Sequence, residues 1–328
     1  TYPVDVPLTM LFGDLPITDI KVSTDEKTFF NDSVSSEHSF KETLKNVLQH
    51  PTVASKSFLI TIGDRTVGGM VARDQFIGPY QVPVSDYSMS LRSFTSSGGE
   101  VLTIGEKPTI AINNSAASMR MAMAEALLNM SGVYIKGLDE VQVSANWMAA
   151  TGEGVEDLSL RDGVEALSEC CVSLNISVPV GKDSLSMKTK WQEDKSDYVV
   201  KSPLSGVITA MAPVEDVRVA VTPELDTDIQ SKILHVKLND KKRLSGSIFS
   251  QVTESQFQET PDIDDMQLLK IMFNTVQGLV AQNKILALHD ISDGGLMITL
   301  LEMAFTKKVG LDLSLDNLAK DDLNSTFF

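Results

Sequence analysis

The apolar positions of this chain follow two alternating spacings, one suited to helices and one to strands. Asn and Ser open NNSAASMRMAMAEALLNMSG at 113–132, no Pro or Gly interrupts it and Gly132 closes it, which predicts a helix. Apolar residues surround that helix on nearly every face, so it belongs inside the fold. EDLSLRDGVEALSECCVSLN at 156–175 and KETLKNVLQH at 41–50 predict two amphipathic helices. Strands are predicted in KSFLITIGD at 56–64, VPVSDYSMSLRSF at 82–94 and VQVSANWM at 141–148. SVPVGKDSLSMKTKW and SDYVVKSPLSGVITAMAPV predict a hairpin joined by the turn QEDK, its first arm starting from a Gly-Lys-Asp-Ser loop at 181–184.

Two prolines and an acidic run in PVEDVRVAVTPELDTDIQ at 213–230 mark a domain boundary. Beyond it, KILHVKLN, KILALHD and VGLDLSL predict strands that alternate with helices in IDDMQLLKIMFNTVQGLVAQN and SDGGLMITLLEMAFTK, the order of helices packed on one sheet. The fold class is therefore a mixture of α+β and α/β: a linker and N-terminal segment at 1–48, a β-rich domain at 49–215 and an α/β domain at 225–328. Little core is expected in the first 48 residues, which are Ser-rich and acidic around STDEKTFFNDSVSSEHSF. The start without Met and the end directly after an amphipathic stretch are expected to be cut ends of a longer polypeptide.

Charge narrows the range of partners. The 328 residues carry 44 acidic against 28 basic side chains, a formal charge of -16, which argues against a nucleic-acid or anionic-membrane surface. Small anions neutralised by metal remain compatible with it. Cys170 and Cys171 are adjacent and the only two cysteines, so no disulfide framework or CxxC metal site is present, which fits a reducing cytoplasm. No run of eighteen apolar residues and no basic-then-apolar leader at the start point to a membrane.

Candidate chemistry gathers in four places. Glu125 and Asn129 lie i, i+4 on one face of an otherwise apolar helix, where a carboxylate needs a cation, either an Arg or a metal; a solvated polar stripe is the alternative. In LALHDISDGGL, His289, Asp290, Ser292 and Asp293 end a predicted strand before two glycines that open a helix, a turn suited to phosphate and metal, although the Asp residues could simply cap the helix. The Gly181 to Ser184 segment lacks the residues of a P-loop, with Ile176 and Asp183 in the diagnostic positions, yet a turn there would offer N–H groups, one Lys and one hydroxyl to a phosphorylated ligand. Asp86, within an alternating segment, would complete a set of hard oxygen donors with Glu125, Asn129 and Asp290, the set that Mg2+ prefers. His38, His50 and His235 have no matching Ser or Cys context and are expected to be ordinary surface or packing residues, and the cysteines lie among apolar residues, so no catalytic thiol and no glutaminase is expected in this chain.

The strings GDRTVGGMVARDQFIGPYQVPVSD, MAEALLN, VQVSANWMAATGEGVED, LSLRDGVEAL, PVGKDSLSMKTKWQ, SPLSGVITA and HDISDGGLMITLLEMAF together resemble the long single-chain form of phosphoribosylformylglycinamidine synthase, from about residue 8 to 315. The resemblance implies a ligase of purine biosynthesis that uses ATP and glutamine to turn formylglycinamide ribonucleotide into formylglycinamidine ribonucleotide. It implies an aminoimidazole ribonucleotide synthetase-like half, the second of two copies: a β-rich dimerising domain followed by a truncated α/β domain. The first copy and the glutaminase domain would then be missing partners, with no catalytic residue in this fragment and a homodimer through residues 50–215. Residue by residue, it implies magnesium ligands at Asp86, Glu125, Asn129 and Asp290, and contacts to an auxiliary ADP or ATP at Ser85 and Ser292. Gly181 and Ser184 match nucleotide and substrate contacts, whereas Lys182 stands where relatives have a metal-binding Asn. In such an enzyme the amide oxygen attacks the γ-phosphate with ADP leaving, and ammonia then attacks the carbon of the resulting iminophosphate with phosphate leaving. The alternatives are a structural Mg-ADP module without a catalytic role, and a single-copy cousin such as selenophosphate synthetase or thiamine monophosphate kinase, which lack PVGKDSLSMK and SANW.

Overall fold

The computed structural model describes residues 4–13, 22, 38–61, 63, 67–152, 154–314 and 323–328. Its helices are α1 Leu8–Phe12, α2 Phe40–Gln49, α3 Ser57–Ile60, α4 Pro108–Ala111, α5 Ser115–Met130, α6 Val155–Leu174, α7 Ile248–Val252, α8 Met266–Ala281, α9 Gly295–Lys307 and α10 Leu323–Phe327. The strands are β1 Val71–Arg73, β2 Ser88–Leu91, β3 Gly99–Gly105, β4 Gln142–Met148, β5 Ser177–Ser184, β6 Lys188–Glu193, β7 Ser196–Lys201 and β8 Ser205–Val214.

One sheet organises the first unit, in the order β1-β2-β3-β8-β4-β5. Only β4 and β5 run parallel, as their connection through the long helix α6 requires. Along β8 and β3, buried and less buried residues alternate, so one face is apolar and covered and the other is open. Met119, Met123, Leu127 and Met130 of α5 fill the covered face against Val101, Val143, Ile208 and Ala210. On the open face Ile104 is 56 % exposed, and β5 at the edge is exposed along nearly its whole length. The helix predicted at 113–132 is thus real, its start capped by Asn114, whose side chain accepts from the Ala117 N–H.

The second unit is docked on the first through α8. Leu269 and Phe273 join the same core as α5. Arg120 of α5 donates to both oxygens of Asp262 at 2.7 Å. Gln277 reaches across from α8: its amide donates to the carbonyls of Ser131 and Val133, and its oxygen accepts from the Ile135 N–H. A second core holds Val47, Ile248, Phe249, Leu296, Ile298 and Phe327. Val47 lies on α2, so the segment expected to contribute little core supplies part of this one, because its amphipathic face finds α7 and α10.

The mixed α+β class holds, but several predicted strands do not form. Residues 232–239, 284–290 and the described part of 309–315 are extended segments without ladders, and Leu234 is 79 % exposed. An apolar segment becomes a strand only beside a partner strand, and the bond from the Leu288 N–H to the Thr222 carbonyl at 3.0 Å does not extend into a ladder among the described residues. KSFLITIGD contains the short helix α3 where a strand was expected. Only Ser88–Leu91 of VPVSDYSMSLRSF pairs as a strand, which leaves Asp86 in a loop. The hairpin does form, as β6 and β7, with Asp194 and Lys195 at φ 49 and 66 in its turn. Its first arm begins at Lys188, because the Gly-Lys-Asp-Ser segment is paired within β5 rather than looped out.

Candidate functional site

The loop before β2, the end of β3, one face of α5 and the turn that opens α9 converge on a cluster of charges. Asp86 comes from the first, 3 % exposed, and its Oδ1 lies 2.6 Å from Nδ1 of His289. The other ring nitrogen, Nε2, lies 2.8 Å from Oε2 of Glu302 on α9. A ring facing a carboxylate at each nitrogen donates from both, which only the imidazolium can do. Burial alone would lower the His289 value, but Asp86 and Glu302 outweigh it and hold it well above the usual imidazole range. Burial pushes Asp86 up, against the pull of His289. Burial first and the charge of Asp86 second push Asp290 up to about 7. Oxygen or nitrogen atoms of Asp86, His289 and Asp290 all lie within 4.8 Å of one another, and with the imidazolium donating from both nitrogens it is the two carboxylates that offer lone pairs to a metal.

The neighbouring half of the cluster is built around Glu125. Its Oε2 accepts from the Glu106 N–H at 2.8 Å, and its Oε1 accepts from Nζ of Lys107 at 2.6 Å and from the Ser292 hydroxyl. Lys107 also reaches Ser292 Oγ at 3.1 Å and Asp293 at 3.3 Å, with only 8 % of its side chain exposed. Burial opposes the charge on Lys107, but Asp293 and Glu125 raise it above the ordinary lysine value. The carboxylate expected to require a cation therefore has one, and it is a lysine. One turn along α5, Asn129 donates to the Ile104 carbonyl at 3.0 Å, while its Oδ1 is buried without a hydrogen-bond partner. Such an orphan acceptor costs about 1–3 kcal/mol unless a ligand meets it.

The turn itself depends on glycine. Gly294 sits at φ 95, and a Cβ there would come within 2.5 Å of the Ile298 side chain, so only glycine carries the chain from Asp293 into α9. The Gly295 N–H that starts α9 donates to the Ser292 carbonyl at 3.0 Å, and the positive end of the helix dipole lies beside Ser292 and Asp293. Five carboxylates (Asp86, Glu125, Asp290, Asp293, Glu302) thus share the cluster with two cations, Lys107 and His289. The surplus of hard oxygen donors and the orphan Oδ1 of Asn129 fit a divalent cation such as Mg2+.

Of the residues singled out from the sequence, Asp86, Glu125, Asp290 and Ser292 are brought together, with Asn129 on the same helix face as Glu125. Ser85 is adjacent in the chain, but its hydroxyl donates to the Tyr87 carbonyl at 2.7 Å. Gly181 and Ser184 lie elsewhere, on β5, three strands from β3 and so about 14 Å away by strand spacing. Gly181 has a packing duty there, since a Cβ would meet the Ala145 carbonyl at 2.2 Å, and the Ser184 hydroxyl accepts from Lys182. Lys107 and Glu302 were not singled out from the sequence, whereas His289 was placed in the turn but without its two carboxylate partners. Glu302 had a visible signal, as the one acid of the apolar helix GLMITLLEMAFTK; Lys107, before Pro108 at a strand end, had none.

Residues 55–213 match the family described as FGAR-AT PurM_N-like domain, and residues 231–326 match the AIR synthase related protein, C-terminal domain. Solved structures that resemble the chain include the PurL of Thermotoga maritima complexed with ADP, at 17 % identity and a TM-score of 0.41, covering 66 % of this chain and 30 % of that one. PurLQS from the same organism gives 16 % identity and 0.43, covering 76 % and 36 %. The thiamine monophosphate kinase of Aquifex aeolicus gives 10 % and 0.27, covering 44 % and 41 %. The chain spans about a third of the length of the two T. maritima proteins. At these TM-scores none of the superpositions bears on the site.

Proposed function

We propose that this chain, which belongs to the phosphoribosylformylglycinamidine synthase family by its two consecutive domains, is part of the ligase that makes formylglycinamidine ribonucleotide, and that its buried acidic cluster holds a nucleotide with magnesium. The substrates of the whole enzyme would be formylglycinamide ribonucleotide, ATP and glutamine. A first synthetase half and a glutaminase domain would complete it. The proposed magnesium ligands are Asp86, Glu125, Asn129 and Asp290, with Ser292, and less directly Ser85, beside the nucleotide. Gly181 and Ser184 would face a different ligand, on the β5 edge.

The observation that carries this reading is the unbalanced cluster itself. The carboxylates of Asp86, Asp290 and Glu125, largely buried with Lys107 and His289 beside an orphan amide oxygen, are costly to bury and become favourable once a divalent ion arrives. Magnesium, when bound, supplies positive charge against the phosphates of the nucleotide. The remaining tasks fall to the chain. Glu302 and His289 fix the direction of Asp86. Ser118 accepts none of this charge but donates to the Lys107 carbonyl at 2.6 Å, which anchors the backbone under the site. The N-terminus of α9 offers N–H groups to a phosphate.

A second reading, in which bound Mg-ADP is a structural cofactor rather than a substrate, is favoured by the position of the cluster between the two units, since a ligand there would clamp one to the other. Both readings are tested by heating the purified chain and chromatographing what it releases, for the wild type and for Asp290→Asn. About one equivalent of nucleotide from the wild type, and none from the variant, is expected. A wild type that releases no nucleotide and gains no thermal stability from added Mg-ADP would end both.

A further inference from the structure

We propose that Lys107 is a cation latch: without metal its ammonium group occupies the cation position on Glu125, and with metal bound it turns to the phosphates of the nucleotide. The inference rests on the magnesium-nucleotide reading above and adds a residue and an order of events to it.

Three observations lead there. Oε1 of Glu125 is already taken by Nζ of Lys107 at 2.6 Å. A magnesium ion on that same oxygen, at about 2.1 Å, would lie no more than about 4.7 Å from the ammonium group, two cations on one oxygen where the Lys107 and Glu125 side chains are only 8 % and 13 % exposed. The lysine therefore has to leave Glu125 for the ion to bind there. Its backbone does not move with it, because the Lys107 carbonyl accepts from Ser118 and Pro108 follows at once. Only the flexible stem swings.

The destination is set by what Nζ already touches. It reaches the Ser292 hydroxyl and the Asp293 carboxylate, the two residues at the turn that opens α9. An anionic phosphate at the start of α9 lies within the same sweep of the stem and replaces Glu125 as its counter-charge. A single ammonium group then serves two states: it neutralises the empty cluster, and it reads the phosphate in the filled one. An ion without a nucleotide gains nothing from the lysine and must displace it. The nucleotide with its ion gains a partner.

This predicts opposite effects from one substitution. Calorimetric titration of the full chain with Mg2+ alone and with Mg-ADP distinguishes them. Lys107→Met, which removes the competing charge, is expected to bind Mg2+ alone about tenfold more tightly and Mg-ADP at least about tenfold more weakly. Equal weakening of both, or unchanged Mg-ADP binding, would overturn the latch. Lys107→Arg keeps the ion pairs and serves even if the Met variant fails to fold. Its guanidinium grips carboxylates at two points, so Mg2+ alone should bind several-fold more weakly with the melting temperature unchanged; binding like the wild type would overturn the proposal. A wild type that binds neither Mg2+ nor Mg-ADP would instead remove the reading on which the latch stands.

Discussion

Gln277 joins the two units alongside Leu269, Phe273 and the Arg120–Asp262 pair, through three buried backbone bonds. It is 6 % exposed, and its amide satisfies three backbone groups of the segment that follows α5: the carbonyls of Ser131 and Val133 at 3.0 and 2.8 Å and the N–H of Ile135 at 2.8 Å. Gln277→Met keeps the length and the apolar stem but removes every one of those bonds. Each buried backbone group left without a partner costs about 1–3 kcal/mol, so the loss is at least about 3 kcal/mol. Against a total stability of about 5–15 kcal/mol this is a large fraction. Urea unfolding followed by fluorescence should give a lower midpoint with an unchanged slope. Gln277→Glu should be at least as damaging, since its buried carboxylate keeps the acceptor for Ile135 but sets a negative charge against both carbonyl oxygens. A loss below about 1 kcal/mol for the Met variant at constant slope would mean that relaxed backbone or water replaces the amide, and would refute the reasoning.

Two further outcomes follow from the same structure. Burial pushes the Cys170 thiol up to about 12 and raises that of Cys171 by the same cause, so at pH 8 both should react with a thiol reagent far more slowly in the folded chain than in urea; rapid labelling of both under native conditions would contradict this. The open sheet face around Ile104 and the exposed β5 edge should make the chain pair with a second copy of itself, so light scattering at tens of micromolar should report a dimer, and a clean monomer would count against it.

How much was legible beforehand can be seen element by element. Helix α5 was read correctly because its caps and its unbroken helical run are local properties, and the same holds for α6, α8 and α9. Asp86, Glu125 and Asp290 were grouped through the family resemblance and the preference of magnesium for oxygen, and they do converge. Spacing could not reveal that Lys107 already neutralises Glu125, because that contact joins a strand end to a helix face. Nor could it show that His289 stands between Asp86 and Glu302, whose positions in the chain are far apart. The strands expected at 232–239 and 284–290 failed for a related reason: a strand is a property of two segments, and each was judged alone. The Gly-Lys-Asp-Ser segment misled because glycine suggests a turn, whereas at Gly181 it answers to the close approach of the Ala145 carbonyl.

The pairing of Asp86 with His289 spans 203 positions of sequence. During synthesis Asp86, Lys107 and Glu125 leave the ribosome long before His289, Asp290 and Glu302, and domains fold from the N-terminal side first. The acids therefore stay hydrated while the sheet assembles, and they lose water only when the turn before α9 and Glu302 arrive to receive them. Closing the pocket thus falls after the sheet has formed, so a substitution at His289 or Glu302 would act on the last stage of maturation while leaving the nascent sheet untouched.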